Sequence, residues 1–165
     1  MCSSDLRHKG WEGFSQLGEP LHISLWNLSY VEKVQCRNSK VYVFENPTVF
    51  SELLYETRDV GISMICTYGQ LRLASLLLLD KVVESKAKVF YSGDFDPEGV
   101  MIADKLKQRY GESLFLWRYG VEEYNKICSK VRLTDQRLKK LDQLKTPDLK
   151  PIAKEITEKG YGAYQ

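Results

Sequence analysis

Histidine is nearly missing from this chain: His8 and His22 are the only two in 165 residues. The four cysteines, Cys2, Cys36, Cys66 and Cys128, include no CxxC pair. Together these absences remove the spacings that structural zinc needs. Scattered thiols suit a reducing compartment. No apolar run approaches the length needed to span a bilayer; the longest, around Leu76 to Leu79, is a fraction of it. The opening Met1 to Asp5 has no apolar signal-peptide core. A cytoplasmic protein without membrane association is therefore expected. Charge of either sign is not in large excess, because the net is only +2. That total neither requires nor excludes nucleic acid, since a basic face can hide in a neutral sum.

What remains is an ordinary globular composition, 43% hydrophobic and 28% charged, at a length that fits one domain. Residues 1–39 form a polar lead-in with Gly10, Gly13, Gly18 and Pro20, in which Ser24 can cap a short helix. Residues 40–120 alternate. Apolar, β-branched and aromatic runs at 41–44, 62–66, 88–92 and 114–117 are separated by helical patterns at about 47–57, 70–83 and 97–110. Such alternation predicts an α/β fold with a mainly parallel sheet of about four strands and helices on both faces. The runs are apolar throughout, as strands covered on both faces should be. Residues 121–165 read as a basic helical extension. Leu133, Leu138, Leu141 and Leu144 fall near one stripe, and Thr134 is a candidate cap. Seven Lys/Arg face two Asp between Lys126 and Lys145; a solvated helix face and a nucleic-acid backbone contact both explain that excess. The abrupt ending predicts a piece of a longer protein, and an upstream domain of the same protein is expected as its partner.

Chemistry concentrates at two strand ends. Glu45 closes the run 41–44 and precedes Asn46-Pro47. Asp94 and Asp96 close the run 88–92 and precede Pro97-Glu98-Gly99. In a parallel sheet these ends share one edge, where ligands bind. Residues two apart on a strand point to one side, so Asp94 and Asp96 can face one ion while Phe95 turns into the core. Three carboxylates gathered there need a cation or protons, and oxygen ligands suit Mg²⁺, with Mn²⁺ as substitute. Glu45, on its own strand, is the better candidate to move a proton. The simpler reading is that Asp96 caps its helix and Asp94 holds the turn. Asn46 and Asp96 each place a capping residue before Pro at the first helical position. Thr67, Gly69 and Gln70 follow the second run and can meet phosphate oxygens. Arg118, after the fourth run, either pairs with phosphate or neutralises the acids. Leu71, Leu73 and Leu76 to Leu79 are expected in the core, and the tryptophans Trp11, Trp26 and Trp117 are read as packing groups rather than base-stacking platforms. His22 is given a structural role, and Cys66 is expected to be buried in its strand.

These residues carry a resemblance. A Glu after the first strand and a DxD after the third look like the Toprim domain of topoisomerases, primases and related nucleases. The DxDPxG form followed by Val100 to Ala103 is similar to the topoisomerase VI A-subunit branch. Residues 19–165 resemble the DUF2399 C-terminal region of bacterial proteins, through Pro20 to Leu25, Val43 to Pro47, Cys66 to Gln70, Gly93 to Pro97 and Trp117-Arg118. The resemblance implies a Rossmann-like Toprim fold and Mg²⁺ at Asp94 and Asp96. It makes Glu45 a ligand or general acid/base in phosphodiester cleavage or transfer, with DNA as the partner. No tyrosine here is marked as a topoisomerase nucleophile. Two other classes stay open. One is a DxD phosphatase acting on small phosphoesters, which leaves Glu45 without a role. The other is a non-catalytic domain that recognises nucleic acid or protein.

Overall fold

The fold, a computed structural model, describes residues 9–165. In chain order it runs α1 (Lys9–Leu17), α2 (Leu25–Ser29), β1 (Lys40–Phe44), α3 (Pro47–Thr57), β2 (Met64–Cys66), α4 (Leu73–Glu84) and β3 (Lys88–Ser92). It continues with α5 (Pro97–Tyr110), β4 (Leu114–Leu116), α6 (Val121–Ile127), β5 (Cys128–Arg132), α7 (Asp135–Leu138), α8 (Lys150–Lys159) and β6 (Tyr161–Ala163). Strands β1 to β4 make one parallel sheet in the order β2-β1-β3-β4, flanked by helices. Both strands and helices of the α/β stretch thus lie close to where the sequence pattern puts them.

Two compact units divide the chain between Phe90 and Tyr91. In the first, β1 pairs with β2 in parallel, Tyr42 opposite Met64 and Phe44 opposite Cys66. Val41, Val43 and Phe44 are buried. Each such side chain contributes about 1.5–3 kcal/mol when fully removed from water. Asn46 accepts the Thr48 amide at 2.8 Å and starts α3, with Pro47 at its first position. Ser24 caps α2 in a reciprocal arrangement with Asn27.

Helix α4 differs from expectation. Leu79 is fully buried, but Leu73 is 60% exposed and Leu77 is also exposed. A run of adjacent leucines covers more than one face of a helix, and only one face meets the sheet. Trp26 is 71% exposed, set edge-on to Tyr30 at 5.4 Å. Helix α2 is only five residues long, too short to bury both of its sides.

In the second unit, Asp96 caps α5 and Gly111 follows its last residue. The region after residue 120 is not wholly helical. Strands β5 and β6 form a two-stranded antiparallel sheet, with Cys128 opposite Ala163 and Arg132 opposite Tyr161. The leucine stripe is broken among a turn, α7 and a 3-10 segment at Lys139–Gln143; Leu133 and Leu141 are buried. Thr134 does cap α7, accepting the Arg137 amide at 3.4 Å. Among the described residues, no helix is long and apolar enough to cross a membrane.

Candidate functional site

The first unit brings Glu45 beside the turn after β2. The Thr67 amide donates to the Phe44 carbonyl at 2.9 Å, and the Gly69 amide donates to the Glu45 carbonyl at 3.0 Å. The β1–β2 ladder thus runs past the strand ends and holds both turns at one edge. Gly69 has φ +78°, and a Cβ there would meet open space; the backbone twist, rather than crowding, favours glycine. Thr67 is buried, and its hydroxyl points to the Phe44 and Gly69 carbonyls at 3.4 and 3.5 Å. That hydroxyl faces the chain's own backbone, whereas Gln70 at the same turn is exposed. Cys66 is half-buried, and burial pushes its thiol above the usual range. His22 packs against the Tyr68 ring at 5.7 Å.

The second unit holds the acidic turn. Phe95 is fully buried between the two acids, as the spacing of two predicts. Its ring stacks on Tyr119 with centroids 4.7 Å apart, and Tyr124 lies 6.0 Å away. Its backbone pairs with Ala163 in both directions, at 2.7 and 3.0 Å. The Tyr119 hydroxyl donates to the Asp94 carbonyl at 2.6 Å. The turn is therefore pinned from below by aromatics and from one side by β6.

Each acid has its own surroundings. Asp94 Oδ1 accepts the Gln165 amide at 2.8 Å, while the Gln165 side chain donates to Ser92 Oγ at 2.6 Å. Burial pushes the Asp94 carboxyl above its ordinary range; the Gln165 amide opposes this, and the charge of Asp96 adds to it. Asp96 Oδ1 accepts the Gly99 amide at 2.8 Å, the helix cap. Asp96 Oδ2 accepts from an Arg137 terminal nitrogen at 2.6 Å. The same guanidinium donates to Glu98 Oε2 through that nitrogen at 2.5 Å and through Nε at 3.0 Å. Lys140 completes the cluster, with Nζ 2.7 Å from Glu98 Oε1. Burial disfavours charge on Glu98, but Arg137 and Lys140 outweigh it and hold the carboxyl down to about 2. Arg137 is in turn held more firmly protonated, chiefly by its bond to Glu98.

Sequence reasoning singled out Asp94 and Asp96 and missed Glu98, Arg137, Lys140 and Gln165. Only the general basic excess at 126–145 hinted that cations from that stretch had acids to meet. Arg118 has φ +49° and lays its guanidinium 5.1 Å from the centre of the Trp117 ring. Stacking on that ring is the contact the structure gives it.

The donor chemistry at Asp94 and Asp96 fits Mg²⁺. Both are hard oxygen donors from one turn, and Mg²⁺ commonly takes one or two carboxylates and keeps its waters. The raised Asp94 carboxyl, next to a second acid, is the condition that a nearby cation relieves. Among the described residues, no group of three or more His, Cys, Asp or Glu stands ready to hold a metal ion. The acids shown together are the Asp94–Asp96 pair.

A search of curated proteins finds no match to the chain. A family model described as a protein of unknown function C-terminus, DUF2399, matches residues 21–165. That span covers nearly the whole chain, including both strand-end turns and the β5–β6 sheet, and so the chain belongs to the DUF2399 family.

Proposed function

We propose that the chain is a Mg²⁺-dependent module acting on phosphodiester bonds of nucleic acid, DNA foremost, with Mn²⁺ able to substitute. The observation that carries this reading is the acidic turn itself. Just past β3, a strand of the parallel sheet, two carboxylates, Asp94 and Asp96, stand near enough for the charge of one to act on the other, with the residue between them buried. The Toprim resemblance supplies the reaction class, which makes it analogy rather than geometry.

Asp94 and Asp96 would hold the ion. When bound, Mg²⁺ polarises a phosphoryl oxygen and acidifies water. Gln165 orients Asp94 through its amide, and the α5 cap orients Asp96. Glu45, which ends β1, is assigned the remaining role of ligand or of proton carrier between attacking water and leaving oxygen. Gln70 and Arg118 are the candidate phosphate contacts.

Thermal unfolding tests this reading without needing a substrate. A saturating divalent ion, at about a hundredfold excess over its dissociation constant, should raise Tm by about 5–10 °C. Asp94→Asn with Asp96→Asn should abolish the shift. An unchanged shift in that double variant would sink the site assignment.

A second reading is favoured by one observation. Arg137 and Lys140 already balance Asp96 and Glu98. In that case the turn is a structural ion-pair cluster, and the domain recognises nucleic acid or a partner protein without turnover. No metal shift in the wild-type protein, together with DNA binding that survives loss of the acids, would favour it. Turnover of p-nitrophenyl phosphate that is lost in Asp94→Asn but kept in Glu45→Gln would point instead to a small-phosphoester phosphatase.

A further inference from the structure

We propose that Arg137 is the chain's own stand-in cation at Asp96, and that a divalent ion can take Asp96 only by displacing the guanidinium onto Glu98. The inference rests on the metal reading above and concerns how that site is loaded.

Three features carry it. First, Arg137 occupies the carboxylate oxygen that the helix cap leaves over. Asp96 Oδ1 is committed to the Gly99 amide, and Oδ2 meets Arg137 at 2.6 Å. A cation approaching Asp96 without disturbing α5 therefore meets the positive charge of the guanidinium at Oδ2. Second, Arg137 has somewhere to go. Its shared terminal nitrogen and Nε both bond Glu98 Oε2, at 2.5 and 3.0 Å. Giving up Asp96 leaves both bonds to Glu98 intact. Third, the backbone need not move. The Arg137 amide is fixed by the Thr134 cap at the start of α7, so a side-chain swing suffices. Lys140 bonds only the far oxygen of Glu98 and does not reach this exchange.

Arg137 is thus a positioning residue that acts through Asp96. It screens like-charge repulsion in the turn while no ion is bound. A purely structural Arg137 makes the opposite prediction: removing it loosens the turn and weakens metal binding.

Calorimetric titration of the full chain with Mn²⁺ separates the two. Arg137→Gln should bind Mn²⁺ about tenfold more tightly than wild type, the scale of one part-exposed charge-assisted contact. Arg137→Lys keeps the charge but loses the fork, and should fall between them; it decides the matter if the Gln variant does not fold by circular dichroism. Lys140→Gln removes a neighbouring charge without touching Asp96, and should change the affinity less than twofold. Equal or weaker binding by a folded Arg137 variant overturns the displacement while leaving the metal reading standing. Tightening by Lys140→Gln as large as that of Arg137→Gln also overturns it, because bulk charge would then explain both. Absence of Mn²⁺ binding in wild type and every variant overturns this proposal together with the metal reading.

Discussion

Gly99 sits where a side chain has no room. A Cβ there would lie 2.3 Å from the Asp94 carbonyl oxygen and 3.0 Å from its carbon, both backbone atoms. The first turn of α5 must therefore back away from the acidic turn if residue 99 gains a methyl group. Gly99→Ala should cost about 2–3 kcal/mol in urea unfolding. Glu98 makes a second prediction. Its carboxyl is held near 2, below its ordinary 4.5, so it adds stability above pH 4.5 and loses it as the pH falls toward about 2. Its side chain keeps 30% exposure, and solvent screening limits the gain to about 1 kcal/mol. Glu98→Gln should thus be less stable than wild type at pH 7, with the gap closing below pH 3 in unfolding curves taken across that range. At this scale the sequence revealed what is local. The Asp96 cap, the inward Phe95 and the Asn46 cap follow from neighbours a few positions away. The ion pairs of Asp96 and Glu98 with Arg137 do not, because about 40 residues separate the partners and one arginine in a basic stretch looks like the next.

Elements of the α/β stretch were legible because apolar β-rich runs and capped helical runs alternate at short intervals. The stretch after residue 120 was not. Cys128 to Arg132 mixes exposed and half-buried positions, and its pairing partner lies some thirty residues on. A two-stranded sheet solvated on one side leaves a weak periodic signal, and the local lysines and arginines favour a helical reading instead. The leucines of α4 misled for a related reason: composition says apolar, but only geometry says which side meets the sheet. Helix α5 carries a further signal with no sequence marker. Asp104 is buried; its Oδ1 accepts the Lys145 and Thr146 amides at 3.2 and 2.7 Å, and its Oδ2 accepts from Gln108 at 2.5 Å. One carboxylate thereby fastens the loop before α8 to α5. Asp104→Ala strands two backbone donors and should cost about 2–3 kcal/mol, whereas Asp104→Asn, which keeps an acceptor for both, should cost about 1 kcal/mol. Chemical denaturation of the pair distinguishes anchoring from charge.

Across the whole molecule, the parallel sheet was readable from alternation alone, while its strand order, which sets β1 beside β3, was not. Nor was the dependence of the acidic turn on the last few residues. Within the second unit, β6 pairs with β5, Ala163 pairs with Phe95, and Gln165 reaches Asp94 and Ser92. Ending the chain at Gly160 should therefore speed amide hydrogen exchange at Phe95 and across the start of α5 by more than about tenfold, with little change at β1 and β2 in the first unit. Equal protection in the shortened protein would show that the turn stands without its strap.

Phe95 gives the acidic turn its mechanical character. Both its backbone groups are tied to Ala163, and its ring is wedged against Tyr119. Swinging the backbone of either flanking acid away would haul an aromatic ring out of the core. The pair therefore rides on a fixed anvil of backbone, with only its side-chain torsions left to adjust.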